Sequence, residues 1–175
     1  MSARWKLGAQ ALAVALVLGL FALLIWKVAQ GSHKEAAPGK AAPDFTLGRL
    51  DRPGSLQLSS LRGKAVVLNF WASWCNPCKR EAPALQALSK RWGKQVVVLG
   101  VDVNDFQGDA RGFMRKYGLT YPVVHDNKNK TTPKYGLTGL PETFFLDRSG
   151  RIVEHVPGEV QAADLTSGVE RALKA

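Results

Sequence analysis

A short apolar run rich in β-branched residues, Ala65-Val66-Val67-Leu68-Asn69-Phe70, gives way within a few residues to a helical pattern. That junction constrains the chain more than any other feature. A run of this kind reads as a strand buried on both faces, as in a parallel sheet covered by helices. From Asn76 onward Ala82, Leu85, Leu88 and Ser89 recur at helical spacing, with Lys79, Arg80, Gln86 and Lys90 between them. The strand feeds directly into a helix, and the chain reads as alternating strands and helices around one sheet.

The only two cysteines stand at that junction, in Cys75-Asn76-Pro77-Cys78. A C-x-x-C inside a β-α-β pattern reads as a redox dithiol, whereas zinc usually needs two more Cys or His ligands at similar spacing. The three histidines, His33, His125 and His155, are scattered and form no such motif. No metal and no other cofactor is expected. Cys75 falls at the helix N-terminus, where unpaired N–H groups and the helix dipole favour an anion. Such positions lower a cysteine pKa from about 8.5 into the range of roughly 3.5–7.5, which makes Cys75 the expected nucleophile. Cys78, one turn further in, suits the resolving thiol. Pro77 near the first turn costs no backbone hydrogen bond.

The segment Phe70-Trp71-Ala72-Ser73-Trp74-Cys75-Asn76-Pro77-Cys78-Lys79-Arg80-Glu81 resembles the active site of the thioredoxin superfamily, and more closely its membrane-anchored TlpA/ResA/CcmG-type thiol-disulfide oxidoreductases. Ala42-Pro43-Asp44-Phe45-Thr46-Leu47, Leu61-Arg62-Gly63-Lys64 and Gly139-Leu140-Pro141-Glu142-Thr143-Phe144-Phe145-Leu146-Asp147 fit the same group in the same order. The resemblance covers residues 41–175. It implies an α/β thioredoxin-like fold: a central mixed sheet with helices on both faces and an added N-terminal β-hairpin.

The resemblance also assigns roles. Pro141 is expected to be cis and to face the dithiol, exposing the backbone of Leu140 to an extended substrate segment. Trp74, Asn76 and Pro77 would meet substrate beside it. Glu81 shares a helix face with Cys78. It reads either as a solvated surface charge or, by resemblance, as the carboxylate that tunes the dithiol. Thioredoxin itself has a buried aspartate six residues before the first cysteine, where this chain has Asn69. The implied activity is reduction of protein disulfides through Cys75 and Cys78. Apocytochrome c is an implied substrate, and a membrane dithiol protein the implied electron donor.

Two other functional readings compete. A peroxiredoxin-like peroxidase shares the 42–47 and 61–64 segments, but such enzymes carry threonine three residues before the reactive cysteine, and Ala72 stands there. A non-enzymatic copper carrier would use the cysteines with His125 or His155, yet such carriers space their cysteines by three residues rather than two.

The first 40 residues differ in kind. Residues 7–28 are apolar apart from Gln10 and Lys27, with Trp5 and Trp26 near the ends. Twenty residues of helix span about 30 Å, the thickness of a bilayer's hydrocarbon core, and tryptophans suit its interfaces. A cleaved signal peptide would have an apolar region of only about 7–15 residues and a small-x-small site. The expectation is a short leader at 1–6, a single uncleaved transmembrane anchor at 7–28 contacting the lipid bilayer, and a flexible linker at 29–40. Arg4 and Lys6 precede the anchor while Lys27, Lys34 and Lys40 follow, so charge does not set orientation. The short leader and the resemblance favour a cytoplasmic N-terminus and an extracytoplasmic catalytic domain.

Of the formal net charge of +10, residues 1–40 carry five Lys/Arg against one Glu and residues 41–175 nineteen against thirteen. The domain's basic residues are dispersed, without aromatics interleaved, so nucleic-acid binding is not expected. Asp102 and Asp105 read as caps of a strand end and of the helix that follows, rather than as a cation site.

Overall fold

The computed structural model describes residues 2–30, 36–93 and 95–175 and forms two separate units, at residues 1–34 and 35–175. The first unit is one helix, α1 (Ser2–Gln30). Its large apolar side chains, among them Leu12, Leu16, Leu20, Phe21 and Trp26, are exposed. Among the described residues no helix is long and apolar enough to cross a membrane. A span at residues 7–28 therefore rests on the sequence alone. Met1 and residues 31–35 of the expected leader and linker lie outside the described residues.

The second unit begins with a correction. Residues 36–40, expected as the end of a flexible linker, lie on the domain. Ala36 is buried, Gly39 N–H donates to the Ile152 carbonyl, and Ile152 N–H donates to the Lys40 carbonyl. The expected hairpin follows as β1 (Thr46–Arg49) and β2 (Ser55–Gln57), then a 3-10 turn at Leu58–Leu61. Beyond it come β3 (Ala65–Trp71), α2 (Asn76–Trp92), β4 (Val96–Val103) and α3 (Gln107–Tyr117). The chain closes through β5 (Val123–Asp126), α4 (Thr132–Tyr135), β6 (Glu142–Leu146), β7 (Ile152–Pro157) and α5 (Ala162–Lys174).

These strands form one seven-stranded sheet in the order β2-β1-β5-β4-β3-β6-β7. It is mixed: β3 runs parallel to β4, and β4 to β5, while the flanking pairs are antiparallel. Strand β3 is buried throughout, which explains its unbroken apolar run, since neither face meets water. Its alternate residues feed two cores. Ala65, Val67 and Trp71 pack with α2, α3 and α5, while Val66, Leu68 and Phe70 pack with Phe45, Leu58 and Tyr135. The three long helices thus share one face. The other is closed by the short α4 and the segments around the hairpin.

Two glycines are required by geometry. Gly118 ends α3 at φ 62, the left-handed cap that other residues resist. A Cβ on Gly168 would meet the Phe145 ring at 2.5 Å, so glycine lets α5 lie against the sheet.

Candidate active site

The end of β3 and the start of α2 converge at the centre of the sheet, and the cysteines sit there. Cys75 is the N-cap of α2, and its Sγ accepts from the Cys78 N–H at 3.2 Å, satisfying one of the helix's free amides. The two are joined as a disulfide with a Cα–Cα distance of 5.3 Å. Both are buried: Cys75 is 4% exposed and Cys78 1%. Pro77 occupies the first turn of the helix, as its missing amide allows. Asn76 Oδ1 accepts from Lys79 Nζ at 2.9 Å, and Arg80 pairs with Glu159.

Glu81 is not a surface charge. It is 2% exposed, one turn below Cys78, on the side of α2 that faces the sheet. Asn69 Nδ2 donates to its Oε1 at 2.7 Å and Val160 N–H to its Oε2 at 3.0 Å. Burial raises its pKa, the two donors lower it and the nearby Glu159 raises it again, leaving it pushed up to about 7. Asn69, the one polar residue in the apolar strand, also donates to Thr143 Oγ1 at 3.0 Å. It links the carboxylate to β6.

The Leu140–Pro141 bond is cis, as the resemblance implied. Pro141 immediately precedes β6, whose first residue Glu142 pairs with Phe70 near the end of β3, and Leu140 packs against the core that contains both cysteines. Glu142 lies on the opposite face of the sheet from Glu81 and is 1% exposed. Its Oε1 accepts from Thr138 N–H, Gly139 N–H and Thr138 Oγ1, and its Oε2 lies 2.7 Å from His155 Nε2. His155 stacks on Phe144 at 4.1 Å. Trp74 is 55% exposed, beside a shallow groove that Leu137, Gly139 and Leu140 also line. Trp71 is packing, stacked on Phe113 at 4.5 Å.

The spacing-based reading of Asp102 and Asp105 as caps fails. Asp105 accepts from Ser73 as well as from Phe106 N–H, and α3 has no side-chain cap bond. Asp102 is fully buried with its Oδ2 2.6 Å from His125 Nδ1. Burial and Asp105 push Asp102 up to about 8, and burial lowers His125. Both shifts favour the neutral forms. His125 and His155 are each committed to a carboxylate. The local sequence could not reveal these partners, because they come from strands 23 and 13 residues away.

A family model described as the AhpC/TSA family matches residues 38–155. The chain is 36% identical over 135 residues to the thiol-disulfide oxidoreductase ResA of Geobacillus thermodenitrificans, covering 77% of each chain. It is 40% identical over 126 residues to the ResA of Oceanobacillus iheyensis, covering 69% of this chain and 65% of that one. Among solved structures, a thiol:disulfide interchange protein of the thioredoxin family from Chlorobium tepidum superposes with a TM-score of 0.69 at 30% identity, covering 79% of this chain and 98% of that one.

Proposed function

The chain belongs to the AhpC/TSA family of thioredoxin-like proteins and is a thiol-disulfide oxidoreductase, and from that premise we propose that it acts as a reductase of protein disulfides. The observation that carries the reading is a cysteine pair capping a helix, above a buried carboxylate whose pKa lies near neutrality.

In the reduced protein the Cys75 thiolate attacks a substrate disulfide. A Cys75–substrate bond forms, and the first substrate sulfur leaves as a thiolate that takes a proton from solvent. Cys78 then gives its proton to the Glu81 carboxylate, and its sulfur attacks Cys75 Sγ, expelling the second substrate thiolate. Two electrons have passed to the substrate and the Cys75–Cys78 disulfide remains. A carboxyl group that titrates near pH 7 suits this exchange, because it can both take and return a proton at working pH. Trp74, Asn76, Pro77 and the backbone of Leu140 beside Pro141 form the substrate-facing rim. A partner dithiol must then recharge the pair.

The cellular setting extends the same reading. The apolar sequence of residues 7–28 supports a single membrane anchor, with the catalytic domain outside the cytoplasm. A membrane dithiol protein would be the donor. Apocytochrome c, with paired cysteines that must be reduced before haem attachment, would be a substrate. Ala72 offers no hydroxyl where peroxidases of this family carry threonine, which disfavours peroxide chemistry.

The test is the reduction potential of Cys75 and Cys78 in the full-length chain. A value near about −270 mV, as in thioredoxin, supports a reductase, and one near about −120 mV, as in DsbA, makes the protein an oxidant. A Cys78→Ser variant should accumulate the mixed disulfide on Cys75.

A further inference from the structure

The two residues that immediately precede the nucleophile are tied to the loop after β4. Ser73 N–H donates to Asp105 Oδ2 at 2.5 Å, and the Ser73 hydroxyl donates to Oδ1 at 3.0 Å. Oδ1 also accepts the Phe106 N–H at 2.8 Å. One residue on, Trp74 Nε1 donates to the Asn104 carbonyl at 3.0 Å. Asn104 holds φ 52, a left-handed conformation that asparagine tolerates better than most residues, and it turns the chain so that residues 104 and 105 both reach the active-site turn. Behind them Asp102, paired with Trp71 across β3 and β4, is pinned by His125.

Within this turn Cys75 N–H donates to the Ala72 carbonyl at 3.2 Å. Ser73 N–H is held instead by a carboxylate 32 residues away, and hydrogen bonds to an ionised acceptor are roughly twice as strong as neutral ones. A negative charge bonded to Ser73, two residues before a cysteine that must become a thiolate, works against that thiolate. Charge and placement therefore pull the chemistry in opposite directions, and the two roles can be separated by sign.

We propose that Asp105 is a positioning residue for the thiol-disulfide reaction, holding Ser73, while the Asn104 carbonyl beside it holds Trp74, so that Cys75 keeps its place as the cap of α2. The role rests on Cys75 being the attacking thiol and is independent of the direction of electron flow.

The test is alkylation of the reduced, full-length protein by iodoacetamide as a function of pH, with tryptophan fluorescence, read as the difference from a Trp74→Phe background, as a second readout. Asp105→Ala should slow alkylation of Cys75 at pH 7 by about tenfold, the effect of a one-unit rise in thiol pKa, and should change the emission that Trp74→Phe removes. Asp105→Asn keeps one acceptor and removes the charge, so it should react at least as fast as the wild type. Ser73→Ala, which loses only the hydroxyl bond, should fall between the wild type and Asp105→Ala. Faster alkylation in both Asp105 variants would mean the carboxylate acts only through its charge. Unchanged rates would mean that it holds nothing the reaction needs. Either result overturns the proposal, and Asp105→Asn together with Ser73→Ala decides it even if Asp105→Ala fails to fold. Alkylation that survives Cys75→Ser and is lost in Cys78→Ser would instead show that the attacking thiol was misassigned.

Discussion

Two buried glutamates flank the end of β3, one on each face of the sheet, and their partners differ. Glu81 receives one side-chain amide and one backbone N–H, from Asn69 and Val160. Glu142 receives two backbone N–H groups and a hydroxyl from residues 138–139, with His155 on its other oxygen. Both are almost fully buried. Burial alone therefore does not decide what a carboxylate does. With two neutral donors Glu81 is undercompensated for its desolvation and titrates near neutrality, which fits proton exchange. Glu142 is a clamp: it fixes the segment that leads into Leu140 and Pro141, and so the shape of the proposed substrate-facing rim.

The largest effect should come from breaking the clamp. Glu142→Ala strands two backbone amides and a histidine, and denaturant unfolding should show a loss of about 4 kcal/mol. A loss under about 1 kcal/mol would mean the two glutamates are not as different as their wiring implies.

Next in size is the pH effect of Glu81. Its folded pKa of about 7 lies above the ordinary glutamate value of 4.5, so the folded state binds the extra proton between those values. The stability from that group is fully present below about pH 4.5 and is lost as pH rises through about 7. The difference between wild type and Glu81→Gln should therefore change by up to about 3 kcal/mol across that window. Parallel stability curves would put Glu81 back among ordinary carboxylates.

Kinetics sharpen the contrast further. Glu81→Gln should slow resolution of the mixed disulfide by about tenfold or more at pH 7, by removing the proton acceptor near Cys78. Stopped-flow release of the second substrate thiol measures this, and an unaltered rate would remove Glu81 from the reaction.

The smallest effect belongs to His155→Ala. It deletes one of Glu142's partners and the stack on Phe144, at a partly exposed site, and should cost about 1 kcal/mol. The stability difference assigned to Glu81 should not move.

Much of the fold was legible because it is written locally. The apolar run of β3, the helical spacing after Asn76 and the turn signals of the hairpins each set their own element within a few residues. The cysteine pair and Pro77 at the helix start were legible for the same reason. Residues 36–40 were misread because their Gly, Pro and Lys composition suits a tether, while their actual partners lie at residues 151–152. Asp102 and Asp105 were misread likewise. An aspartate just before a helix suits a cap, and nothing nearby in sequence announces Ser73 or His125.

The sequence by itself determined the order of strands and helices, the two-residue spacing of the thiols and their place at a helix N-terminus, since periodicity and capping act over a turn or two of chain. Only the tertiary structure decided which carboxylates are buried, which donors reach them and hence that Glu81 titrates near pH 7. Glu81 owes its state to Asn69, 12 residues before it, and to Val160, 79 residues after it. A pKa is set by desolvation and by donors brought together through space, and those distances exist only once the sheet has formed.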